Sequence, residues 1–194
     1  MMRIITGKAR GVRLATLEGE QTRPTSERAK EAVFSMLQFE LEGTNVLDLF
    51  AGSGQMGLEA VSRGAAHAVL CDASRAAADI IRANALKTRL MPLCDILCSD
   101  FCTSLQNMRR RQSFDLVFLD PPYALGLLPQ ALELLLRYRL LHAGAKIVCE
   151  SAAPEDVFAG NDALAEHFDI LRSARYGVAH ITVLSYQGQE ANEE

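Results

Sequence analysis

No stretch of this sequence reaches the roughly 18 uninterrupted apolar residues that a membrane-crossing helix needs. The opening residues, Met1-Met2-Arg3-Ile4-Ile5-Thr6-Gly7, lack the long apolar centre of a secretory signal. Nothing repeats internally, and no low-complexity, proline-rich or glycine-rich linker divides the chain. The five cysteines, Cys71, Cys94, Cys98, Cys102 and Cys149, are odd in number and come with no export signal, which argues against a disulfide framework. Cys94, Cys98 and Cys102 recur at every fourth residue, yet no C-x-x-C pair or nearby histidine accompanies them. They are expected to be buried thiols acting as small hydrophobes. The four histidines, His67, His142, His167 and His180, show no ligand spacing. These absences lead to the expectation of a cytoplasmic protein with no metal and no membrane partner.

The 194 residues, 49% of them apolar and 23% charged, suit one globular domain with one core and leave little for a second. A formal net charge of −4 would by itself argue against nucleic acid as a partner. Its distribution does not. Residues 1–30 hold seven basic and three acidic side chains, and Arg3, Lys8, Arg10 and Arg13 fall within the first 13 residues with no acid among them. This asymmetry suggests a basic segment on an acidic body, although a merely solvated terminal strand would look the same.

RIITGKARGVRL, broken by Gly7 and Gly11, is consistent with a short β-hairpin. RPTSERAKEAVFSMLQF then starts a helix at Pro24-Thr25, with Ala29, Val33, Met36 and Leu37 on one face. From residue 45 onward, strands and helices alternate. Strands are expected at 45–50, 67–72, 93–98, 114–120 and 145–151, with helices at 56–62, from about 73 to 87, and at 128–141. Two late runs around Gly177 suggest an antiparallel hairpin. The pattern predicts an α/β, doubly wound, mostly parallel sheet with right-handed crossovers, whose ligand sits at the carboxyl ends of the strands. In domain terms, residues 1–22 form a basic hairpin arm, 23–187 the body and 188–194 a polar tail.

Gly52, Gly54 and Gly57 in VLDLFAGSGQMGLEA satisfy G-x-G-x-x-G between a strand and a helix. With Asp72 at the end of the next strand placed for ribose hydroxyls, they point to an adenosine-type cofactor without choosing between NAD and S-adenosylmethionine. Asp48 tilts the choice. A carboxylate at this turn suits the ammonium group of S-adenosylmethionine and would repel a pyrophosphate. Asp100 and Phe101 offer an acceptor and an aromatic edge for adenine. Helix capping explains Asp72 or Asp100 equally well, whereas Asp48 in this turn is harder to explain structurally.

Asp120-Pro121-Pro122-Tyr123 ends the most apolar strand in a rigid turn. The Asp120 side chain and the Pro121 carbonyl can each accept one N–H of an exocyclic amine, aiming the nitrogen lone pair at an electrophile while Tyr123 stacks on the base. Such chemistry needs no strong base, because the amine proton can leave after transfer. A structural proline turn is the plain alternative for this tetrad taken alone.

DLFAGSG (48–54) followed by DPPY (120–123) resembles the class I amino-methyltransferases of nucleic acids. The preceding RIITGKARGVRL and RPTSERAKEAVFSML (23–37) narrow the resemblance to the bacterial RsmD family, over essentially the whole chain. That resemblance implies a Rossmann-like methyltransferase fold, a mostly parallel seven-stranded sheet with a C-terminal antiparallel hairpin and an N-terminal hairpin arm. It implies a monomer that carries a methyl group from S-adenosylmethionine to N2 of the guanine called 966 in 16S rRNA, presented on the small ribosomal subunit or its assembly intermediate. By position, Asp48, Phe50, Gly52 and Gly54 match the cofactor loop, Asp72 the ribose acid and, more weakly, Asp100 an adenine contact. Asp120, Pro121 and Tyr123 match the catalytic loop, in which some relatives carry Phe at the last position. The resemblance also implies RNA contacts for Lys8, Arg10 and Arg13, extended by Arg23 and Arg28. Arg109-Arg110-Arg111 is expected to be a solvated turn at the opposite edge of the sheet.

Three other readings fit part of the sequence: adenine-N6 methylation of DNA or RNA, an NAD-dependent oxidoreductase, and a non-catalytic ribosome-assembly factor on the same fold. Identification of the modified nucleoside, cofactor titration and a turnover assay separate them.

Overall fold

The computed structural model describes residues 2–17 and 24–188. Among them, seven strands form one sheet: β1 (Asn45–Asp48), β2 (His67–Asp72), β3 (Cys94–Cys98), β4 (Phe114–Leu119), β5 (Leu141–Ser151), β6 (Phe168–Tyr176) and β7 (Ala179–Tyr186). Their spatial order is β3-β2-β1-β4-β5-β7-β6. The first five run parallel, and β7 lies antiparallel between β5 and β6. Six α-helices accompany them: α1 (Pro24–Met36), α2 (Gln55–Ser62), α3 (Arg75–Lys87), α4 (Phe101–Met108), α5 (Leu128–Arg137) and α6 (Asp162–Ala165).

The sheet separates two apolar clusters, as a strand whose alternate side chains point to opposite faces requires. Val46, Leu70, Leu116 and Phe118 face one cluster, packed with Phe34 of α1, Leu58 of α2 and Ile81 of α3. Leu47, Val69, Val117 and Ile147 face the other, against Leu105 of α4 and Leu132 and Leu135 of α5. Chain order reverses between β1 and β4, which opens a crevice at their carboxyl ends.

One expectation about the helices is corrected. The leucine-rich helix stops at Arg137 instead of running to Leu141. Arg139 takes the left-handed conformation (φ 55°), its N–H bonds to Leu136 O, and Leu141 already begins β5. Leucine content extended the apparent helix, because Leu140 is fully buried in the same cluster that α5 packs against.

The N-terminal segment folds back on itself as the short hairpin expected, with one antiparallel bridge, Arg3 to Arg13, flanked by Ile4 N–H to Val12 O and Leu14 N–H to Met2 O, and it packs on the body of the sheet. Ile4, Ala9 and Leu14 are buried in the first cluster. Glu59 of α2, itself fully buried, accepts the N–H groups of Ile5 (2.7 Å) and Thr6 (3.0 Å). Ser62 accepts from the Ala9 N–H and donates to Thr6 O. Asn84 of α3 accepts from the Ala15 N–H and donates to Ala15 O and Ser53 O, tying the segment to the glycine loop. Residues 189–194, most of the expected polar tail, lie outside the described residues.

Only part of the cysteine expectation holds. Cys71, Cys94 and Cys149 are buried, and burial pushes the first two thiols up to about 12 and the third higher still. Cys98, by contrast, is exposed, because it ends β3, an edge strand whose far end meets solvent, and Cys102 is half-buried in the first turn of α4.

Candidate active site

A cleft of about 1070 Å³ opens at the carboxyl ends of the parallel strands. Each of these five strands delivers an acid there: Asp48 ends β1, Asp72 ends β2, Asp100 follows β3, Asp120 follows β4 and Glu150 lies near the end of β5. The sheet thereby turns five separate sequence positions into one acidic rim. Such a rim in a concave, partly desolvated site favours a cationic ligand over an anionic one.

Asp48 forms the floor. It is buried, and its Oδ2 accepts the Gly57 N–H at 2.9 Å. Desolvation pushes its carboxyl up to about 7, with the Gly57 bond pulling it down and the neighbouring Asp72 charge raising it further. Asp48 thus has the structural partner that the sequence did not suggest. The Gly57 amide belongs to the first turn of α2, so Asp48 also occupies the helix end that a pyrophosphate would need. Gly57 is required by close approach, because a Cβ there would lie 2.8 Å from Leu70 Cδ2 of β2.

Asp72 accepts from the Gly52 N–H through Oδ2 (2.9 Å) and from the Ser74 N–H through Oδ1 (2.8 Å). It therefore fixes the glycine loop while facing the cleft, and Ser74 is the residue that caps α3. Asp100 caps α4 by accepting the Thr103 N–H, and that bond, together with a side-chain bond to Thr103, lowers its carboxyl. The capping reading of Asp100 is thus correct, although the residue also lines the cleft. Phe50 and Phe101 meet beside it with ring centroids 5.4 Å apart. Gly52 lines the cleft, but Gly54 lies behind it, where it starts α2 in the left-handed conformation against Leu70 and Ile81.

Asp120, Pro121, Pro122 and Tyr123 form the opposite lip. Pro121 is buried while Asp120 and Tyr123 are exposed. The Tyr123 hydroxyl donates to Glu150 Oε1, so this ring has a polar anchor as well as a face. Sequence reasoning missed Glu150, which is separated from the DPPY turn by a helix and recognisable only through the β4–β5 pairing. It also missed Lys30, a buried cation on α1 that lines the cleft, donates to Arg3 O at 3.0 Å and sits 3.7 Å from Glu59. Lys30 lies inside the RPTSERAKEAVF segment, where its place on the apolar stripe one residue after Ala29 was the available signal.

The basic residues divide. Lys8, Arg10, Arg13 and Arg28 are all exposed, and Arg23 lies outside the described residues. Arg28 adjoins Ala29, which lines the cleft. The Lys8 N–H bonds to Ser62 O at the far end of α2, roughly 10 Å along the helix from Gln55 at the cleft. Arg109, Arg110 and Arg111 are exposed in the turn leading into β4, at the strand end opposite the cleft. Among the described residues, no group of three His, Cys, Asp or Glu side chains is arranged to hold a metal ion, and no helix is long and apolar enough to cross a membrane.

Comparison with known proteins matches residues 2–185 to the family described as conserved hypothetical protein 95. The ribosomal RNA small subunit methyltransferase D of Haemophilus influenzae is 35% identical over 156 residues, covering 77% of this chain and 78% of that protein. A Bacillus subtilis protein named "Putative rRNA methyltransferase YlbH" is 35% identical over 150 residues, covering 77% of this chain and 82% of its own length. Among solved structures, one from Escherichia coli titled "Putative methyltransferase yhhF" superposes with a TM-score of 0.83 at 30% identity, covering 97% of this chain and 99% of that one.

Proposed function

The chain belongs to the RsmD family, and from that membership we propose that it methylates N2 of a guanine in small-subunit ribosomal RNA, with S-adenosylmethionine as methyl donor. The observation that carries this reading is the meeting, across one cleft, of the acidic floor of Asp48 and Asp72 with the Asp120–Tyr123 lip. The donor set fits the cofactor. A buried carboxylate whose ionisation is resisted by desolvation gains most from a cation, and S-adenosylmethionine carries an ammonium and a sulfonium. A dinucleotide fits poorly, because its pyrophosphate would compete with Asp48 for the first turn of α2.

Asp48 and Gly52 hold the amino-acid portion, Asp72 the ribose, and Phe50, Asp100 and Phe101 the adenine. Bound there, S-adenosylmethionine supplies a methyl group activated by its positive sulfur. Asp120 and the Pro121 carbonyl accept the two amine hydrogens of the target base, which fixes the nitrogen lone pair toward the cofactor side. The Asp120 charge stabilises the positive charge that develops on nitrogen, and no strong base is required. Tyr123 stacks on the base, held by Glu150. The base must leave its stack to reach this depth, since the amine of a stacked guanine cannot approach the cleft floor. Lys8, Arg10, Arg13, Arg23 and Arg28 meet the RNA backbone, with residues 1–22 part of one domain with 23–187.

In vitro methylation of small subunits from cells lacking the enzyme, followed by identification of the nucleoside, tests the reading. N2-methylguanosine in 16S rRNA is the expected product. N6-methyladenosine would replace the guanine assignment, and absence of turnover with either base would leave an assembly factor.

A further inference from the structure

Asp120 accounts for the amine of the target base but not for the choice of base. An exocyclic amine is carried by adenine and cytosine as well as by guanine. What separates them is the neighbouring ring nitrogen. Guanine places an N1–H donor directly beside its amine, so its edge presents donors in a row. Adenine places a bare N1 acceptor beside its own. A group that only accepts hydrogen bonds can therefore tell the two apart, and an ionised carboxylate only accepts.

The sheet supplies such a group. β4 and β5 are parallel neighbours in a register that pairs Leu119 with Cys149, which sets the next residues, Asp120 and Glu150, abreast at the same strand ends. Both line the cleft. Glu150 Oε1 accepts the Tyr123 hydroxyl, and no other hydrogen bond to the Glu150 side chain is present among the described residues. Tyr123 is the ring that stacks on the face of the base, so the carboxylate that it holds lies beside the edge of that base.

We propose that Glu150 is the residue that selects guanine, its carboxylate accepting the N1–H of the target base while Asp120 and Pro121 hold the amine. The proposal rests on the guanine-N2 reading and supplies its missing specificity element. With adenine in the site, the same carboxylate would face the N1 lone pair, and the missing bond and the repulsion both act against binding.

The test uses small subunits assembled from ligated rRNA that carries either guanine or 2-aminopurine at the modified position. 2-Aminopurine keeps the 2-amino group but has no N1–H. The wild-type enzyme should favour guanine in kcat/KM by roughly tenfold to a hundredfold, the range for a hydrogen bond to a charged group. In Glu150→Gln the amide can turn its N–H toward N1, so the preference should shrink to within about threefold of unity. Tyr123→Phe breaks the same Tyr–Glu bond while leaving the carboxylate in place, and should keep the preference even as its rate falls. Affinity for S-adenosylhomocysteine, unchanged in both variants, reports that the fold is intact.

If Glu150→Gln keeps the wild-type preference, or if both variants lose it alike, Glu150 only holds Tyr123 and the proposal is overturned. A wild-type enzyme indifferent to 2-aminopurine overturns it as well. An N6-methyladenosine product instead overturns the guanine reading itself, which the identity of the nucleoside makes distinguishable.

Discussion

The Asp48 carboxylate and the Gly57 amide are joined by a 2.9 Å hydrogen bond, so the last residue of β1 supplies the anion at the first turn of α2. This bond stabilises the glycine turn but does not offset desolvation, and burial pushes the carboxyl up to about 7 from its ordinary 3.8. A group whose folded value is raised contributes stability that is fully present at low pH and is lost as pH rises toward that value. Asp48→Asn keeps an acceptor for the Gly57 N–H and removes the titration. It should therefore gain stability over the wild type between pH 4 and pH 7, with the gap flat above that and at most about 4 kcal/mol. Urea denaturation of both ligand-free proteins at pH 5 and pH 8 measures the difference, and an equal gap at the two values would refute the assignment.

The same residue should make cofactor affinity pH-dependent. If the ammonium of S-adenosylmethionine sits against Asp48, binding must expel the proton that Asp48 carries below pH 7. Affinity should weaken progressively from pH 8 to pH 6, with proton release visible in calorimetry run in two buffers of different ionisation heat. Asp48→Asn should bind weakly and lose most of this dependence.

Glu59 anchors the N-terminal segment from inside the core. It accepts two backbone N–H groups of that segment and a 2.7 Å bond from Arg63, and it lies near the buried Lys30. Glu59→Ala takes the acceptor away from the Ile5 and Thr6 N–H groups and from Arg63, breaking a buried charged network, a change that costs about 3–5 kcal/mol in comparable cases. Denaturant unfolding should show that loss. Limited trypsin digestion should also cut after Lys8 and Arg10 far faster than in the wild type, while a segment that stays protected would show that Glu59 is not its anchor.

Gly7 marks the tightest approach of this segment to α2. A Cβ there would lie 1.7 Å from Ser62 O, on a backbone already at φ 85°. Gly11 has a similar φ of 82° but open space around it. Gly11→Ala should cost only the left-handed penalty of about 1–2 kcal/mol. Gly7→Ala should cost clearly more, because the turn must leave α2. Equal melting temperatures for the two variants would contradict the packing described.

Much of this architecture is legible in the sequence, and the exceptions share a cause. β1, β2 and β4 announce themselves through short apolar runs that carry Asp48, Asp72 and Asp120, although β1 stops at Asp48, two residues short of the expected end. The glycine loop and the DPPY turn are local patterns, so they survive reading one residue after another. What local pattern cannot carry is contact between distant residues. Glu150 becomes a site residue only through its register beside β4, and Lys30 only because α1 covers the cleft. The charges of the basic segment are conspicuous in the sequence, whereas its anchors, Glu59, Ser62 and Asn84, lie some 50 to 70 residues away. Helix ends mislead for a related reason: Leu140 is as apolar as the helix before it, and only the backbone at Arg139 separates the two.

The exposed charges of that segment bear on RNA binding in a way that salt can read. Lys8, Arg10 and Arg13 are all exposed, so replacing them with Gln should leave the melting temperature nearly unchanged. Each phosphate that the protein no longer neutralises should lower the slope of log affinity against log salt concentration by about 0.9 on duplex-like sites, or about 0.7 on single strands. The triple variant should therefore show a slope shallower by up to about 2–3 on small subunits, with Arg28 and the cleft left to supply the remainder. Because Lys8 is held at the end of α2 remote from the cleft, Lys8→Gln should weaken subunit binding without altering the rate of the bound complex. A slope that does not change in the triple variant would return these residues to the role of a solvated surface and move the RNA-binding face elsewhere.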